Sequence, residues 1–194
     1  LRKQLQRLES LTVSSRGKSS ISTFKVGQLA EILRSSGLDI KVDKTFNELV
    51  AKIEASSKLN FDVPKELNAT LRDYQVDGFE WISRLDSWGG GACLADDMGL
   101  GKTVQAIAFM LMKKDKGASL VVSPASVILN WKREISRFAP SFNVTVLNTA
   151  PDRKKAIDEA GPSDIILSTY GLLVSESEAI CAKEWNVVCL DEAH

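Results

Sequence analysis

Short apolar runs alternate with amphipathic helical segments through the second two thirds of the chain, and this alternation most limits how it can fold. From Pro64 onward the predicted helical segments are separated by short apolar runs, most of them rich in valine, isoleucine and leucine. Such runs are typical of parallel strands that helices cover on both faces. The sequence therefore predicts an α/β fold with a parallel sheet between helices. The predicted strands are GACLAD, SLVVSP, NVTVLN, DIILST and NVVCLDEAH.

A change of character at Pro64 predicts two domains, residues 1–63 and 64–194. In the first, the spacing of apolar residues predicts helices over LRKQLQRLESLT, VGQLAEILRSS and TFNELVAKIEAS, with DIKV as a short strand. The serine-rich stretch VSSRGKSSIS reads as a linker or loop. No group of side chains in this region suggests chemistry, so we interpret it as a small helical or linker region.

The stretch ADDMGLGKT, between a predicted strand and a predicted helix, has the composition of a phosphate-binding loop. Gly99 and Gly101 let backbone N–H groups turn toward an anion, and the helix that follows directs its positive end at the same point. Lys102 adds a charge beside the phosphates, and the Thr103 hydroxyl can coordinate Mg²⁺. The pattern G-x-x-x-x-G-K-[ST] departs in one place, because Asp96 stands where the first glycine is expected.

Two adjacent carboxylates, Asp191 and Glu192, follow the last predicted strand. A carboxylate at the end of a strand can hold Mg²⁺, and its neighbour can orient or deprotonate an attacking water. Either motif alone has a structural explanation, a glycine loop or a solvated turn. Both motifs in this order on a parallel α/β pattern predict a nucleoside triphosphatase.

Composition narrows the partners of the chain. The 25 basic residues balance the 25 acidic ones, so any nucleic-acid contact is expected to be local. Three cysteines are too few for a disulfide framework or a zinc site. No apolar run approaches the ~18 residues that a membrane span needs, and no signal peptide heads the chain, so no membrane partner is expected.

Five segments together resemble the motifs of SWI/SNF-type ATPases, a branch of the superfamily two helicases. LADDMGLGKT is similar to motif I of that family, and LRDYQVDGFEWI to the segment upstream of it. VVSPASVILNWKREISRF resembles motif Ia, LSTYGLL motif Ib and LDEAH motif II. In this family an acidic or amide residue commonly precedes M-G-L-G-K-T, which accounts for Asp96. The resemblance covers residues 64–194.

This resemblance implies the first RecA-like lobe of a P-loop motor, preceded by a mostly helical region, with ATP and Mg²⁺ as cofactors. Gln75 would read the adenine through its amide. The residues implied in catalysis are Lys102, Asp191 and Glu192, with Mg²⁺ held by Thr103 and Asp191. The residues implied in nucleotide binding are Arg72, Tyr74, Gln75, Asp96, Met98, Gly99, Leu100, Gly101, Lys102, Thr103 and Val104.

The resemblance also implies a nucleic-acid groove, in which hydroxyls and backbone amides contact phosphates. Its residues would be Ser123, Pro124, Asn130, Trp131, Ser168, Thr169 and Tyr170. Trp131 has a second interpretation, because its helical spacing with Ile128 and Ile135 is also typical of a core residue. The helix face at Lys132 and Arg133 is equally consistent with phosphate contacts and with solvation.

The function implied is that of a DNA-dependent ATPase that moves along double-stranded DNA and remodels bound proteins, with the target unknown. A second RecA-like lobe is expected C-terminal to this chain. The expected location is the cytoplasm of a bacterium, with the nucleoid, or the nucleus of a eukaryote. Two alternatives are a strand-separating DEAH-type helicase acting on RNA, and a nucleotide-binding module without turnover.

The position of motif II at the end of the sequence gives one more expectation. In the family, the strand of motif III lies between the strands of motifs I and II. We therefore expect the sheet formed by residues 91–191 to lack a central strand, with unpaired backbone groups on both sides of the gap. The isolated chain is expected to be inactive in hydrolysis and to have low stability or to self-associate.

Overall fold

The computed structural model describes residues 12–15, 18–21, 25–36, 44–97 and 99–193. Its residues form two compact units. The first comprises residues up to Phe61 together with Trp81–Cys93, and the second comprises Asp62–Glu80 together with the residues from Leu94 onward. The domain boundary at residue 64 stays a prediction. None of the helices in the described ranges is long and apolar enough to cross a membrane.

In the first unit, β1 (Thr12–Ser15) and β2 (Lys18–Ile21) pair as antiparallel strands. The prediction of a linker or loop over VSSRGKSSIS was therefore wrong. The register pairs Thr12 with Ile21 and Ser15 with Lys18. The helix predicted over residues 1–12 lies outside the described residues except for Thr12, which belongs to β1.

Two of the predicted helices of the first unit are confirmed. They are α1 (Val26–Ser36) and α2 (Lys44–Ser56), and they pack together through buried Val26, Ala30 and Val50. The strand predicted over DIKV falls at residues 39–42, outside the described residues.

The second unit alternates helices and strands as predicted. Helix α3 (Asp73–Ser87) begins in this unit and ends in the first. The elements that follow are α4 (Lys102–Met112), β3 (Ser119–Ser123), α5 (Ile128–Phe138), β4 (Asn143–Val146), α6 (Arg153–Asp158), β5 (Asp164–Thr169), α7 (Tyr170–Ser175), α8 (Ser177–Ala182) and β6 (Val187–Leu190).

The four strands of the second unit form one parallel sheet in the order β4-β5-β3-β6. Central strand β3 is buried throughout, and only the two ends of β5 are partly exposed, as expected for strands covered on both faces. Leu120, Val122 and Ile166 lie in the core cluster beneath α6 and α8, with Ile157 and Ile180. The predicted α/β fold with a parallel sheet is confirmed.

One predicted strand is not formed. Residues 91–97, which include GACLAD, have no regular secondary structure, and all of them except Leu94 are exposed. Strand β6 pairs with β3 on one side, and among the described residues no strand pairs with its other side. Val188 and Leu190 are consequently 53% and 52% exposed. The open side of β6 agrees with one side of the expected gap. The strand expected on the far side, within residues 91–96, is not formed, so the gap itself stays a prediction.

Candidate nucleotide site

The loop before α4 has the backbone of an anion cradle. Gly99 and Gly101 have φ angles of 84° and 79°, in the left-handed region that glycine adopts without strain. Gly101 is the N-cap residue of α4, and no side chain caps this helix. The first N–H groups of the helix therefore stay available to a ligand, and the helix dipole favours a negative one.

Lys102, the first residue of α4, reaches back over this loop. Its Nζ donates hydrogen bonds to the carbonyl oxygens of Asp96 at 2.6 Å and Asp97 at 3.0 Å. Asp96 thus meets the lysine through its backbone, and its own side chain is exposed. The ammonium is held over the loop by neutral carbonyls, which phosphate oxygens can replace with stronger, charge-assisted bonds.

Two side chains of α3 form hydrogen bonds with this loop. Buried Gln75 donates from Nε2 to the Leu100 carbonyl at 3.0 Å, and its Oε1 accepts from the Arg72 backbone N–H at 2.9 Å. The Tyr74 hydroxyl donates to the same Leu100 carbonyl at 3.2 Å. A Cβ placed on Gly101 would lie 2.3 Å from Gln75 Nε2, so only glycine allows this approach. Gln75 and Tyr74 therefore connect α3 to the phosphate loop, and the adenine role of Gln75 stays a prediction.

Sequence reasoning missed one residue at this loop. Gln105 is fully buried in α4, and its Nε2 lies 3.5 Å from the Gly101 carbonyl oxygen. Its place directly before the apolar stretch AIAFMLM could have indicated that the amide is buried. Buried polar side chains are uncommon without a partner.

Thr103 and Val104 lie in the first turn of α4 and are partly buried. Arg72 is exposed, as are Gly99 and Leu100, and Met98 lies outside the described residues.

A second cluster forms at the end of β6. The Asp191 backbone N–H donates to the Val122 carbonyl at 2.8 Å and so continues the ladder to β3. Its Oδ2 accepts a 2.8 Å hydrogen bond from Trp131 Nε1, and its carbonyl accepts one of 2.8 Å from the Tyr170 hydroxyl. Residues from motifs Ia, Ib and II therefore converge on Asp191.

Glu192 follows in an exposed position with φ of 51°, in the left-handed region. That conformation is uncommon for a residue other than glycine and asparagine, and such strain concentrates at functional sites. Asp191 and Glu192 lie in a bend directly after β6.

The protonation of neighbouring groups follows from burial and from the Asp191 carboxylate. Burial, and then the carboxylate of Asp191, raises the pKa of the Tyr170 hydroxyl, with smaller contributions from Cys189 and Glu192. Burial, and then Asp191, raises the pKa of the Cys189 thiol to about 12. Both groups are therefore neutral at pH 7.

Three residues predicted in the nucleic-acid groove cannot reach a ligand in this structure. Ser123 and Ser168 are fully buried, and Trp131 is 2% exposed with its indole N–H committed to Asp191. Their burial does not favour DNA contacts, and that assignment stays a prediction: Ser123 ends β3, Ser168 lies in β5, and Trp131 donates to Asp191. Trp131 belongs to the core, the second of its two interpretations.

The other groove residues stay predictions. Pro124, Asn130, Thr169 and Tyr170 are partly buried. The Thr169 side chain caps α7 by accepting from the Leu172 N–H at 3.2 Å, while Asn130 Oδ1 accepts from Arg133 at 2.8 Å.

The side chains that could hold a metal ion are one hydroxyl and one carboxylate. Among the described residues, no group of three or more histidine, cysteine, aspartate and glutamate side chains forms a metal cage. Mg²⁺ in nucleotide sites needs only one or two protein oxygens, because phosphates and water complete its shell. A threonine hydroxyl and one carboxylate, Thr103 and Asp191, are donors of that kind.

Comparisons with known proteins identify the family. The SNF2-related domain matches residues 74–194. YwqA of Bacillus subtilis is 40% identical over 81% of this chain, and helicase SWR1 of Saccharomyces cerevisiae is 33% identical over 90% of it. The chain spans only 18% and 12% of the lengths of these two relatives.

Solved structures give the same result for the fold. The SWI2/SNF2 ATPase core of Sulfolobus solfataricus, solved in complex with double-stranded DNA, is 39% identical with a TM-score of 0.60. The match covers 68% of this chain and 28% of that one. Together with the phosphate loop and the acidic pair after a parallel strand, these matches show that the chain belongs to the SNF2-related family and has its RecA-like α/β fold.

Proposed function

We propose that this chain forms the ATP-binding part of a DNA-dependent ATPase that moves along duplex DNA. The observation that carries the proposal is the uncapped N-terminus of α4 behind two left-handed glycines, with the Lys102 ammonium held over the loop. Backbone N–H donors, the positive end of the helix dipole and the Lys102 ammonium meet at this loop, and together they favour a polyphosphate over other anions.

Binding requires a small change at Lys102. Its ammonium exchanges the Asp96 and Asp97 carbonyls for phosphate oxygens, while the N–H groups of Gly101, Lys102 and Thr103 donate to the same phosphates. The adenine base is proposed to bind beside Gln75, whose amide has donor and acceptor capacity left, with help from Tyr74 and Arg72.

The residues around Asp191, directly after β6, are proposed to carry out hydrolysis. Thr103 and Asp191 are the residues that would hold Mg²⁺, which when bound neutralises charge on the phosphates. Trp131 fixes Asp191 through Oδ2 and leaves Oδ1 for the metal or its water. Glu192 accepts the proton of the attacking water, and its exposed position gives that water access.

Duplex DNA is the proposed partner because the chain resembles a core that was solved with double-stranded DNA. Pro124, Asn130, Thr169 and Tyr170 are the proposed contacts, through backbone and side-chain groups that meet phosphates. A net charge of zero limits this chain to a few such contacts, so its own affinity for DNA should be weak and salt-sensitive. The cytoplasm of a bacterium or the nucleus of a eukaryote is the matching location.

Calorimetry of ATP binding tests the loop. Lys102→Ala removes the cationic partner of the phosphates, a loss of about 1.5–3 kcal/mol, so the affinity for ATP should fall at least ~tenfold. Lys116→Ala is the matched control, because it removes an exposed lysine beyond the end of α4 and should leave the affinity unchanged. Equal affinities of the wild-type chain and Lys102→Ala would refute the phosphate-cradle assignment.

A further inference from the structure

Two glutamine side chains reach adjacent carbonyl oxygens of the phosphate loop. Gln75 Nε2, from α3, donates to the Leu100 carbonyl at 3.0 Å. Gln105 Nε2, from α4, lies 3.5 Å from the Gly101 carbonyl, which also accepts the Gln105 backbone N–H at 3.3 Å. Both side chains are buried, so water competes little for these bonds.

The direction of a carbonyl fixes the direction of the next N–H group. In a trans peptide the C=O and the following N–H lie in one plane and point to opposite sides. Holding the Leu100 oxygen therefore aims the N–H of Gly101 the other way, and holding the Gly101 oxygen does the same for Lys102. Gly101 has no Cβ to restrict its peptide planes. The Gln105 backbone N–H gives the Gly101 oxygen only a long bond of 3.3 Å, so the two side-chain contacts add restraint to both donors.

A buried glutamine at position 105 is unfavourable for stability unless its amide makes a contact that is needed. It is fully buried, and within the described part of the chain its Oε1 has no hydrogen-bond partner. An apolar side chain of the same length would avoid that unsatisfied acceptor. The amide orientation is the one that places the donor, and not the acceptor, toward the Gly101 carbonyl.

Gly78 on α3 makes room for this amide. A Cβ on Gly78 would lie 2.0 Å from Gln105 Oε1 and 3.1 Å from its Cδ, both too close. Glycine inside a helix is itself unfavourable, so two locally unfavourable residues meet at this contact.

We propose that Gln105 is a positioning residue for nucleotide binding: with Gln75 it fixes the Leu100 and Gly101 peptides so that the Gly101 and Lys102 N–H groups face the phosphates. Gly78 contributes to this arrangement, because its lack of a Cβ leaves room for the Gln105 amide. The inference rests on the proposed ATP-binding function of the loop.

Two variants test the proposal by different routes. Gln105→Met keeps length and volume but removes the donor, and Gly78→Ala displaces the amide while Gln105 stays in the chain. Gly27→Ala is the matched control, since a Cβ there meets only Ile53 Cγ2 at 3.9 Å. For each, ATP affinity is measured by calorimetry, unfolding by thermal melting, and order of the Gly101 and Lys102 amides by ¹⁵N NMR relaxation without ligand.

A positioning role predicts a separation of binding from stability. Gln105→Met should weaken ATP binding about fivefold to tenfold while its melting temperature stays equal or rises, because the orphaned acceptor is gone. Gly78→Ala should weaken binding similarly, and in both variants the order parameters of the two amides should fall. The control should change neither affinity nor these order parameters.

Different results would overturn the role of Gln105 and the proposed ATP-binding function. Unchanged amide order in both variants, or a lower melting temperature with unchanged ATP affinity, overturns the role of Gln105. If the wild-type chain binds no ATP, the proposed function of the loop fails for this chain. The NMR measurement then still decides whether Gln105 orders the loop.

Discussion

The indole N–H of Trp131 donates a 2.8 Å hydrogen bond to Oδ2 of Asp191, across 60 residues of sequence. The tryptophan lies on α5, and the aspartate directly follows edge strand β6. The Tyr170 hydroxyl holds the backbone of the same aspartate. The side chain that we assign to the metal is thus oriented by residues from two other motifs, as metal ligands commonly are.

Trp131→Phe tests this bond by removing the N–H while keeping most of the buried ring. Loss of a hydrogen bond to a charged acceptor at a partly exposed carboxylate should lower the free energy of unfolding by about 1–2 kcal/mol. The Mg²⁺ concentration needed for half-maximal ATP binding should also rise. Both quantities can be measured by denaturant titration and by calorimetry at several Mg²⁺ concentrations.

Trp185→Phe is the matched control, because that indole donates to the Ile180 carbonyl at 2.9 Å, away from Asp191. It should lower stability without changing the Mg²⁺ dependence. If both variants shift the Mg²⁺ dependence equally, Trp131 does not orient Asp191 for a metal.

Glu192→Gln should preserve ATP binding in the full-length protein and slow hydrolysis by about 10²–10⁴-fold. The amide has the shape of the carboxylate but cannot accept a proton from water, and general bases typically contribute this much. Single-turnover hydrolysis measures the chemical step. Near-normal turnover would mean that another group removes the proton.

Cys189 should be the least reactive of the three cysteines toward iodoacetamide at pH 8. Burial and the Asp191 carboxylate raise its pKa to about 12, so only about one thiol in 10⁴ is ionised. Cys93 and Cys181 are exposed and should alkylate quickly. Mass spectrometry of the digested protein measures the extents, and all three should react in denaturant. Comparable labelling of Cys189 in the folded protein would contradict its environment in this structure.

The open side of β6 should make this chain self-associate at concentrations on the order of 100 µM. An unpaired parallel edge with exposed Val188 and Leu190 is a template for another strand. Val188→Lys should reduce association in sedimentation velocity, because a lysine on the strand opposes pairing. Val174→Lys places the same charge on an exposed helical valine and should have little effect. A monomer at all concentrations would show that the edge is protected.

The sheet was predictable where burial alone decides the conformation. Strands β3 and β5 are continuous apolar runs, and that pattern has one common explanation, a parallel strand between helices. The stretch GACLAD has only one large aliphatic residue and is not a strand; a strand also needs a partner, which composition cannot supply. The hairpin of β1 and β2 was missed for the opposite reason: serine-rich segments resemble loops, although cross-strand pairing at a short turn can still order them.

The candidate site was predictable as far as motifs specify residue types. The loop glycines, Lys102 and Asp191 follow from what phosphate and Mg²⁺ require. Contacts between distant segments could not be read from local spacing. Trp131 has the same periodicity whether it lies against DNA or in the core, and only its burial and its bond to Asp191 favour the core. Gln105 was overlooked because a glutamine in a helix is unremarkable until its burial is known.

Steady-state ATP hydrolysis by the full-length protein, measured with duplex DNA, with duplex RNA and without nucleic acid, tests the proposed function most directly. A DNA-dependent motor of this family should be stimulated about tenfold or more by duplex DNA and far less by RNA, and Glu192→Gln should abolish the stimulated rate. Stimulation by RNA equal to that by DNA, or hydrolysis that no nucleic acid changes, would contradict the assignment.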